Sequence, residues 1–435
     1  MPSAFPRRAL WTLVSLLLLG VGAWRLAGAG RFAFDVNQHA GAVVGHTEFG
    51  RTHCCLTCYV LAAHLVTTGE QNPYDKAHYE EEPRDRTPIH AQIGGRFQID
   101  DFPYPPPLLV VHRLLLGLGL DFFAIRALWF VAMALCFLGG LLGLAWWAGA
   151  FRAQPELRLL SILVAATGPL LTLQIGNVQP AVLAATWLAL VAAEAKRPWL
   201  AGALLAFGAV VKIWPLVFVL VWLLQRRFAA LRALLGFCLL YLAISVAVLG
   251  FDVHRVFVTY QLPRLDDGSA FWFMTRPRAM AVNLAFAGVP HKLAALGWIS
   301  GDLPLLQPWL QHLASALVLG AAVVVGIRLH RAAADAGDAA RVHRARLWLA
   351  LMLFAQLRSP FLPWDYGQIT PLVLLVFLLP GRGRWATGLL LLPLALFALT
   401  MPDAPQLRAW LTLAALPVVV GIGIAGLAAR RPAGA

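Results

Sequence analysis

Residues 122–148 read FFAIRALWFVAMALCFLGGLLGLAWWA. Apart from Arg126 the run is apolar, without the period-two alternation of a barrel strand. As a helix rising about 1.5 Å per residue it exceeds the roughly 30 Å of a bilayer's hydrocarbon core. In that medium the backbone must satisfy its own hydrogen bonds, so the run predicts a transmembrane helix. Similar runs recur at 10–27, 157–173, 180–195, 200–211, 213–224, 229–249, 306–327, 346–357, 369–379, 385–400 and 407–428. Together they predict an all-α polytopic membrane protein with about twelve crossings and both termini in the cytoplasm. Composition agrees: 60% of the 435 residues are hydrophobic and only 13% are charged, with a mean hydropathy of +0.72. A soluble domain carries about 25% charged residues.

The net charge of +14 does not point to nucleic acid. Arg and Lys collect in short loops that the crossing count puts inside: Arg152 and Arg158, Lys196 and Arg197, Arg226 and Arg227, Arg328 to Arg346, Arg382 and Arg384, Arg430 and Arg431. The turns counted outside, 176–178 and 401–406, carry neither. This is the bias that orients membrane proteins. The run at 10–27 is long and lacks a small-x-small cleavage site, so it reads as a retained anchor with a cytoplasmic N-terminus. The expected organisation is one integral membrane domain, 1–435, in the plasma membrane. It carries a first periplasmic loop at 29–107 and a second periplasmic segment at 250–303.

The first loop is the longest polar stretch and holds about half of the carboxylates. Within it, 53–68 is apolar at helical spacing and predicts a short interfacial helix. Cys54, Cys55 and Cys58 cluster there beside His53 and His64. The absence of a second Cys-x-x-Cys argues against zinc, leaving a disulfide or packed free thiols. Asp100-Asp101 and Asp266-Asp267 are adjacent pairs without the Asp-x-Asp spacing that holds a divalent ion with a nucleotide. No metal and no cofactor are expected.

Polar residues interrupting the spans gather on the face counted as outside. Asp35 closes the first span, where an apolar boundary suits a carboxylate to act as a base; taken alone it reads more simply as a helix-end residue. The amides of Gln174, Asn177 and Gln179 can both donate to and accept from sugar hydroxyls; a capped inter-helix turn explains them equally well. Lys212 lies between two apolar half-runs, where a charge costs about 2.5–3.5 kcal/mol on insertion scales. Pro215 breaks the helix beside it, so the ammonium is read as an anion site, such as one for a lipid phosphate; the alternative is a lysine snorkelling to the interface.

These residues form a pattern that resembles the polyprenyl-phosphate-sugar-dependent glycosyltransferases of the GT-C superfold, in particular glycosyltransferase family 87 (the DUF2029 group). The resemblance rests on Asp35, Gly69-Glu-Gln-Asn-Pro-Tyr74, Phe102-Pro-Tyr-Pro-Pro106, Gly176-Asn-Val-Gln179, Lys212-Ile-Trp-Pro215, Asn283-Leu284, and Ser359-Pro360 with Trp364-Asp365-Tyr366. The family's acid-x-x-x-Tyr pattern aligns either at Asp35–His39 or at Cys55–Tyr59, where the acid is missing. The chain also has Gly176-Asn-Val-Gln179 for the usual Gly-Gln-x-Asn, and Asp365-Tyr366 where the family has His.

The resemblance implies a bundle of many helices with large outer loops, and transfer of a mannose- or arabinose-like sugar from a polyprenyl phosphate to a glycan or lipid acceptor. Transfer would be inverting and metal-independent, on the periplasmic face and among membrane lipids. Asp35 would be the base, and Lys212 with Arg276 and Arg278 would hold the donor phosphate. Tyr104, Asn177, Gln179, Asn283, Trp364, Asp365 and Tyr366 would bind substrate. The alternative is a polytopic transporter or lipid flippase, against which the absence of an obvious internal repeat speaks.

Overall fold

The computed structural model describes residues 5–35, 52–80, 82–83, 85–149, 166–271, 277–299, 303–332, 337–363, 370–378 and 404–428. It is a helical polytopic membrane protein. Among the described residues, five helices are long and apolar enough to cross a membrane, or six if one bent pair counts as a span. The expected count of twelve is not confirmed among the described residues. Two of the expected spans, 200–211 and 213–224, belong to helices of 14 and 8 residues. Neither covers the roughly 30 Å core alone. Another, 385–400, lies outside the described residues.

Two clusters of side chains mark opposite ends of the bundle. Helix α1 (Phe5–Phe34) leads to the first loop. There β1 (His53–Cys54) precedes α2 (Leu56–Thr67), and β2 (Gln98–Ile99) precedes α3 (Leu109–Gly117). The strands pair in parallel, His53 with Gln98 and Cys54 with Ile99. Helix α4 (Phe122–Trp147) descends from this loop. Its Arg126 is buried, donates to the carbonyls of Phe32, Ala33 and Asp35, and lies against the rings of Phe32 and Phe97. The end of α1 and the first loop are thereby held on one side.

Helix α5 (Thr167–Gln174) bends by 119° into α6 (Gln179–Glu194). The helices α7 (Pro198–Val211), α8 (Val217–Leu224) and α9 (Phe228–Leu249) follow as a down-and-up group. At the far end from the loop, Glu194 bridges Arg227 and Arg344, with Arg344 Nη1 at 3.2 Å. Arg341 donates to the Trp147 carbonyl there, and Arg328 to that of Leu427. The cationic end anticipated from the charge pattern is thus a physical end of the bundle. The C-terminal half is α10 (Leu303–Arg331), α11 (Asp338–Leu357), α12 (Thr370–Leu378) and α13 (Pro405–Ala428).

Helix α2 departs from expectation. Its spacing predicts an interfacial helix, but ten of its twelve residues are buried. The reason is in its sequence: Leu56, Tyr59, Val60, Leu61, Ala62 and Ala63 leave no polar stripe, and a helix apolar all round belongs inside. Its Tyr59 is fully buried against Tyr104, Phe102, Trp129 and His112. By contrast α3 keeps Val111 and Leu114 exposed, and Leu118 just after it, as suits a helix lying at a membrane surface.

Candidate functional site

Three interruptions of regular structure meet beside the first loop. The first is the bend between α5 and α6. Gly176 sits at φ +72°, and a Cβ there would come 3.0 Å from Leu56 Cβ, so both backbone angle and space call for glycine. Its carbonyl accepts from Trp129 Nε1 at 2.8 Å. Asn177 Oδ1 then accepts from the Gln179 amide at 2.9 Å and starts α6, which Pro180 continues.

The second interruption follows α7. Lys212 leaves the helix in an extended conformation, and Pro215 lacks the N–H that would let the helix continue. Its Nζ donates to Asn177 Oδ1 at 3.4 Å and lies 5.1 Å from the centre of the Tyr104 ring. The third is the Phe102–Pro106 stretch, whose Tyr104 carbonyl accepts from Tyr74 OH at 3.1 Å.

Asn177 is the hub. It is 3% exposed, and its Nδ2 donates to Tyr104 OH at 3.4 Å and to Cys55 Sγ at 3.3 Å. Tyr59 OH accepts from the Val178 amide at 3.4 Å. Beside it Gln179 is 1% exposed, and its Nε2 has no partner. Buried side-chain amides are almost always bonded. A cation, two phenols and two buried amides therefore stand together, one of the amides with donor capacity to spare.

Behind Cys55 lies a group that sequence reasoning did not assemble. Cys55 Sγ is 3.6 Å from His53 Nε2, and His53 Nδ1 is 3.4 Å from Asp100 Oδ1. Asp100 is placed by its own N–H, which donates to Thr57 Oγ1 at 3.2 Å, and by β2 just before it. Burial holds the His53 imidazole down to about 4 and pushes the Asp100 carboxyl well above the usual carboxylate range; the charge of Asp101 raises Asp100 further. The signal available in the sequence was the polar doublet Asp100-Asp101 closing an apolar-flanked strand, without any indication of its partner.

The other expected site residues separate. Asp35 is exposed at the end of α1, its carbonyl held by Arg126, on the loop side of the bundle. The contacts around Asn177 involve Cys55 and Tyr59, the second of the two registers considered for acid-x-x-x-Tyr. Asn283 is fully buried in a different junction. Its Oδ1 accepts from the amides of Ala285 (2.9 Å) and Leu362 (2.8 Å), and its Nδ2 donates to the Pro360 carbonyl at 3.0 Å. It thus ties its own motif to Ser359-Pro360, with the backbone pairing Asn283 to Pro363. Arg278 belongs to the short helix Pro277–Ala281. Arg276, Trp364, Asp365 and Tyr366 lie outside the described residues.

No curated protein and no solved structure matches the chain. A sequence model of glycosyltransferase family 87 matches residues 102–360. That stretch is more than half of the chain and contains Tyr104, Asn177, Gln179 and Lys212. The chain therefore belongs to glycosyltransferase family 87 and is a multi-pass membrane glycosyltransferase.

Proposed function

We propose that this enzyme takes its sugar from a polyprenyl-phosphate donor. It passes the sugar, with inversion, to a hydroxyl of a glycan or lipid acceptor at the periplasmic face of the plasma membrane. The observation that carries the reading is the meeting of Lys212, Asn177, Tyr104 and Gln179 at helix breaks on the loop side of the bundle. An ammonium at such a place suits a lipid-borne phosphate, which brings its charge to the membrane surface and leaves its isoprenoid chain in the bilayer. The Gln179 amide, buried and with its Nε2 unpartnered, suits a sugar hydroxyl.

In the transfer the acceptor oxygen attacks the anomeric carbon from the face opposite the phosphate. Asp35 takes the acceptor's proton; its exposure leaves it accessible to an incoming hydroxyl. The bond from the anomeric carbon to the phosphate oxygen breaks, and its electron pair leaves with the lipid phosphate. Lys212 bears that charge, with Arg276 and Arg278 as further cations from the second outer segment. A phosphate is a good leaving group without protonation, so one base suffices and no metal is needed on the departing oxygen. Trp364, Asp365 and Tyr366 complete the acceptor side in this reading, and Asn283 positions the segment that carries them.

Helix breaks also occur in transporters, where they face substrate near the midplane. The 119° bend and the break at Lys212 give that reading its footing. The test is membranes containing the chain, supplied with polyprenyl-phosphate mannose or arabinose labelled in the sugar. A new labelled glycosidic bond is expected, with Asp35→Asn losing at least about 100-fold in rate. Label crossing the bilayer with no bond formed would replace the transferase reading by the transporter.

A further inference from the structure

We infer that His53, Cys55 and Asp100 hold a transition-metal dication of the zinc class, in a site separate from the Lys212 anion site and joined to it through Asn177. One ligand atom from each of the three lies within 4.8 Å of the others. Zinc bonds of about 2.0–2.3 Å place tetrahedral ligand atoms about 3.3–3.8 Å apart. The 3.4 Å from Asp100 Oδ1 is measured to His53 Nδ1 and the 3.6 Å from Cys55 Sγ to Nε2. An ion takes only one of these nitrogens, so the three ligand atoms, within 4.8 Å of one another, draw together by up to about 1 Å on binding. The donors come from three places in the fold: β1, the residue capping α2, and the residue after β2. The parallel pairing of β1 with β2 brings Asp100 to His53 across the intervening residues.

The donor set selects the ion. A thiolate excludes magnesium and calcium, which take oxygen ligands, and nitrogen with sulfur favours zinc, cobalt or copper. The charge balances as well: thiolate, carboxylate and neutral imidazole carry two negative charges, which a dication cancels in a buried place. The side chains of His53 and Asp100 are only 11% and 14% exposed. Without an ion, burial keeps the thiol and carboxyl protonated and the imidazole neutral. The thiol and the carboxyl would give up their protons to a metal, while the imidazole, already neutral, offers its lone pair.

The surroundings are those of a supported ligand set. Asn177 Nδ2 donates to the Cys55 sulfur, as outer hydrogen bonds do to ligating thiolates, and the Thr57 hydroxyl fixes the backbone of Asp100. Nearby charges are Lys212 and Asp101, of opposite sign. Three protein donors leave one tetrahedral position for an oxygen ligand, water in the resting protein.

The same order of atoms, sulfur to Nε2 and Nδ1 to carboxylate, describes a nucleophilic Cys–His–Asp set. Burial argues against that use, because it disfavours the thiolate–imidazolium pair on which the nucleophile depends. All three residues lie outside the stretch matched by the family, so the site is a property of this chain's first loop.

The test is independent of glycosyl transfer. The full chain, purified in detergent and stripped with chelator, is titrated with cobalt(II), and its metal content is measured after dialysis. About one ion per chain is expected, with an intense thiolate-to-cobalt band in the near ultraviolet. Cys55→Ser abolishes the band, and Asp100→Asn weakens retention at least about 10-fold. Cys54→Ser keeps both, because Cys54 is not among the three donors. A wild-type protein that binds no cobalt, or binds it without the thiolate band, overturns the inference without needing any variant to fold. A band that survives Cys55→Ser overturns it too.

Discussion

Among the described residues two buried asparagines each pair with a lysine, Asn283 with the fully buried Lys292 and Asn177 with the half-buried Lys212, and the pairs do different things. Asn283 pairs with Lys292, whose ammonium donates to the Asn283 carbonyl; both residues are fully buried. Every hydrogen bond of the Asn283 amide group to nitrogen or oxygen goes to backbone: Pro360, Leu362 and Ala285. Asn177 pairs with Lys212, but its amide mostly meets side chains that carry chemistry: Lys212, the Tyr104 phenol and the Cys55 thiol. An amide spent on backbone holds two segments together. An amide shared among a cation, a phenol and a thiol sets their positions relative to each other. Both asparagines stood in the sequence as equal candidates for substrate binding, and their partners are what distinguish them.

Asn283→Ala tests the first half of the comparison and carries the largest expected effect. It strands two backbone N–H groups and a carbonyl in a buried junction, each worth about 1–3 kcal/mol when unsatisfied. A loss of roughly 3–5 kcal/mol in stability is expected, read as a lower thermal midpoint in detergent. A variant that unfolds like wild type but no longer transfers sugar would move Asn283 into the substrate site and erase the distinction.

Lys212→Ala should behave in the opposite way. Asn177 Oδ1 keeps its bond from the Gln179 amide, so the α6 start survives. Thermal stability should move by no more than about 1 kcal/mol. The transfer rate should fall about 100- to 1000-fold, as expected when one charge-stabilising donor is lost from a transition state. Equal losses of stability and rate would make Lys212 another structural lysine like Lys292.

How much of this was legible beforehand follows from the physics of each part. The spans showed because apolar runs are local, and the basic end showed because loop charge is local. The breaks at Gly176 and Pro215 also showed, since glycine and proline act on their own backbone. The burial of α2 was misjudged by weighing its position in a polar loop above its uniformly apolar surface. The meeting of Asp100 with His53 was not legible at all: a two-residue parallel pairing leaves no periodicity to find. Nor did anything in sequence distinguish Asn283 from Asn177, because a hydrogen-bond partner far along the chain leaves no local trace.

Acid extends the comparison to what stands behind Asn177. In chelator-treated protein His53 is held near 4 while folded, against about 6.5 when unfolded. The unfolded chain then binds more protons between those values. Stability is complete above about pH 6.5 and is lost as pH falls towards 4, by up to about 3 kcal/mol. His53→Gln should remove that portion of the slope, measured as thermal midpoint against pH. Asp100 works at the other end: its raised carboxyl stabilises the fold while protonated, and that contribution declines as pH rises through its folded value. An unchanged acid slope in the variant would mean that His53 is open to water and separate from the Asn177 cluster.

The smallest effect belongs to the Tyr104 hydroxyl. Its oxygen is 3.4 Å from Asn177 Nδ2, a long bond, while the ring itself lies 5.1 Å from the Lys212 ammonium. Tyr104→Phe keeps the ring and its edge contact with Tyr59. It removes neutral hydrogen bonds to Asn177 and to the Tyr59 hydroxyl, each worth about 0.5–1.5 kcal/mol in stability. Neither partner is placed on the reacting atoms, so transfer should slow by no more than about 10-fold. Tyr104→Ala should cost more, because the cation loses the face it rests on, worth about 0.5–2 kcal/mol, and a cavity opens beside Tyr59. If the phenylalanine variant instead falls as far as Lys212→Ala, the hydroxyl is touching the reacting sugar or phosphate. Asn177 then serves to aim that hydroxyl, and the contrast with Asn283 becomes sharper still.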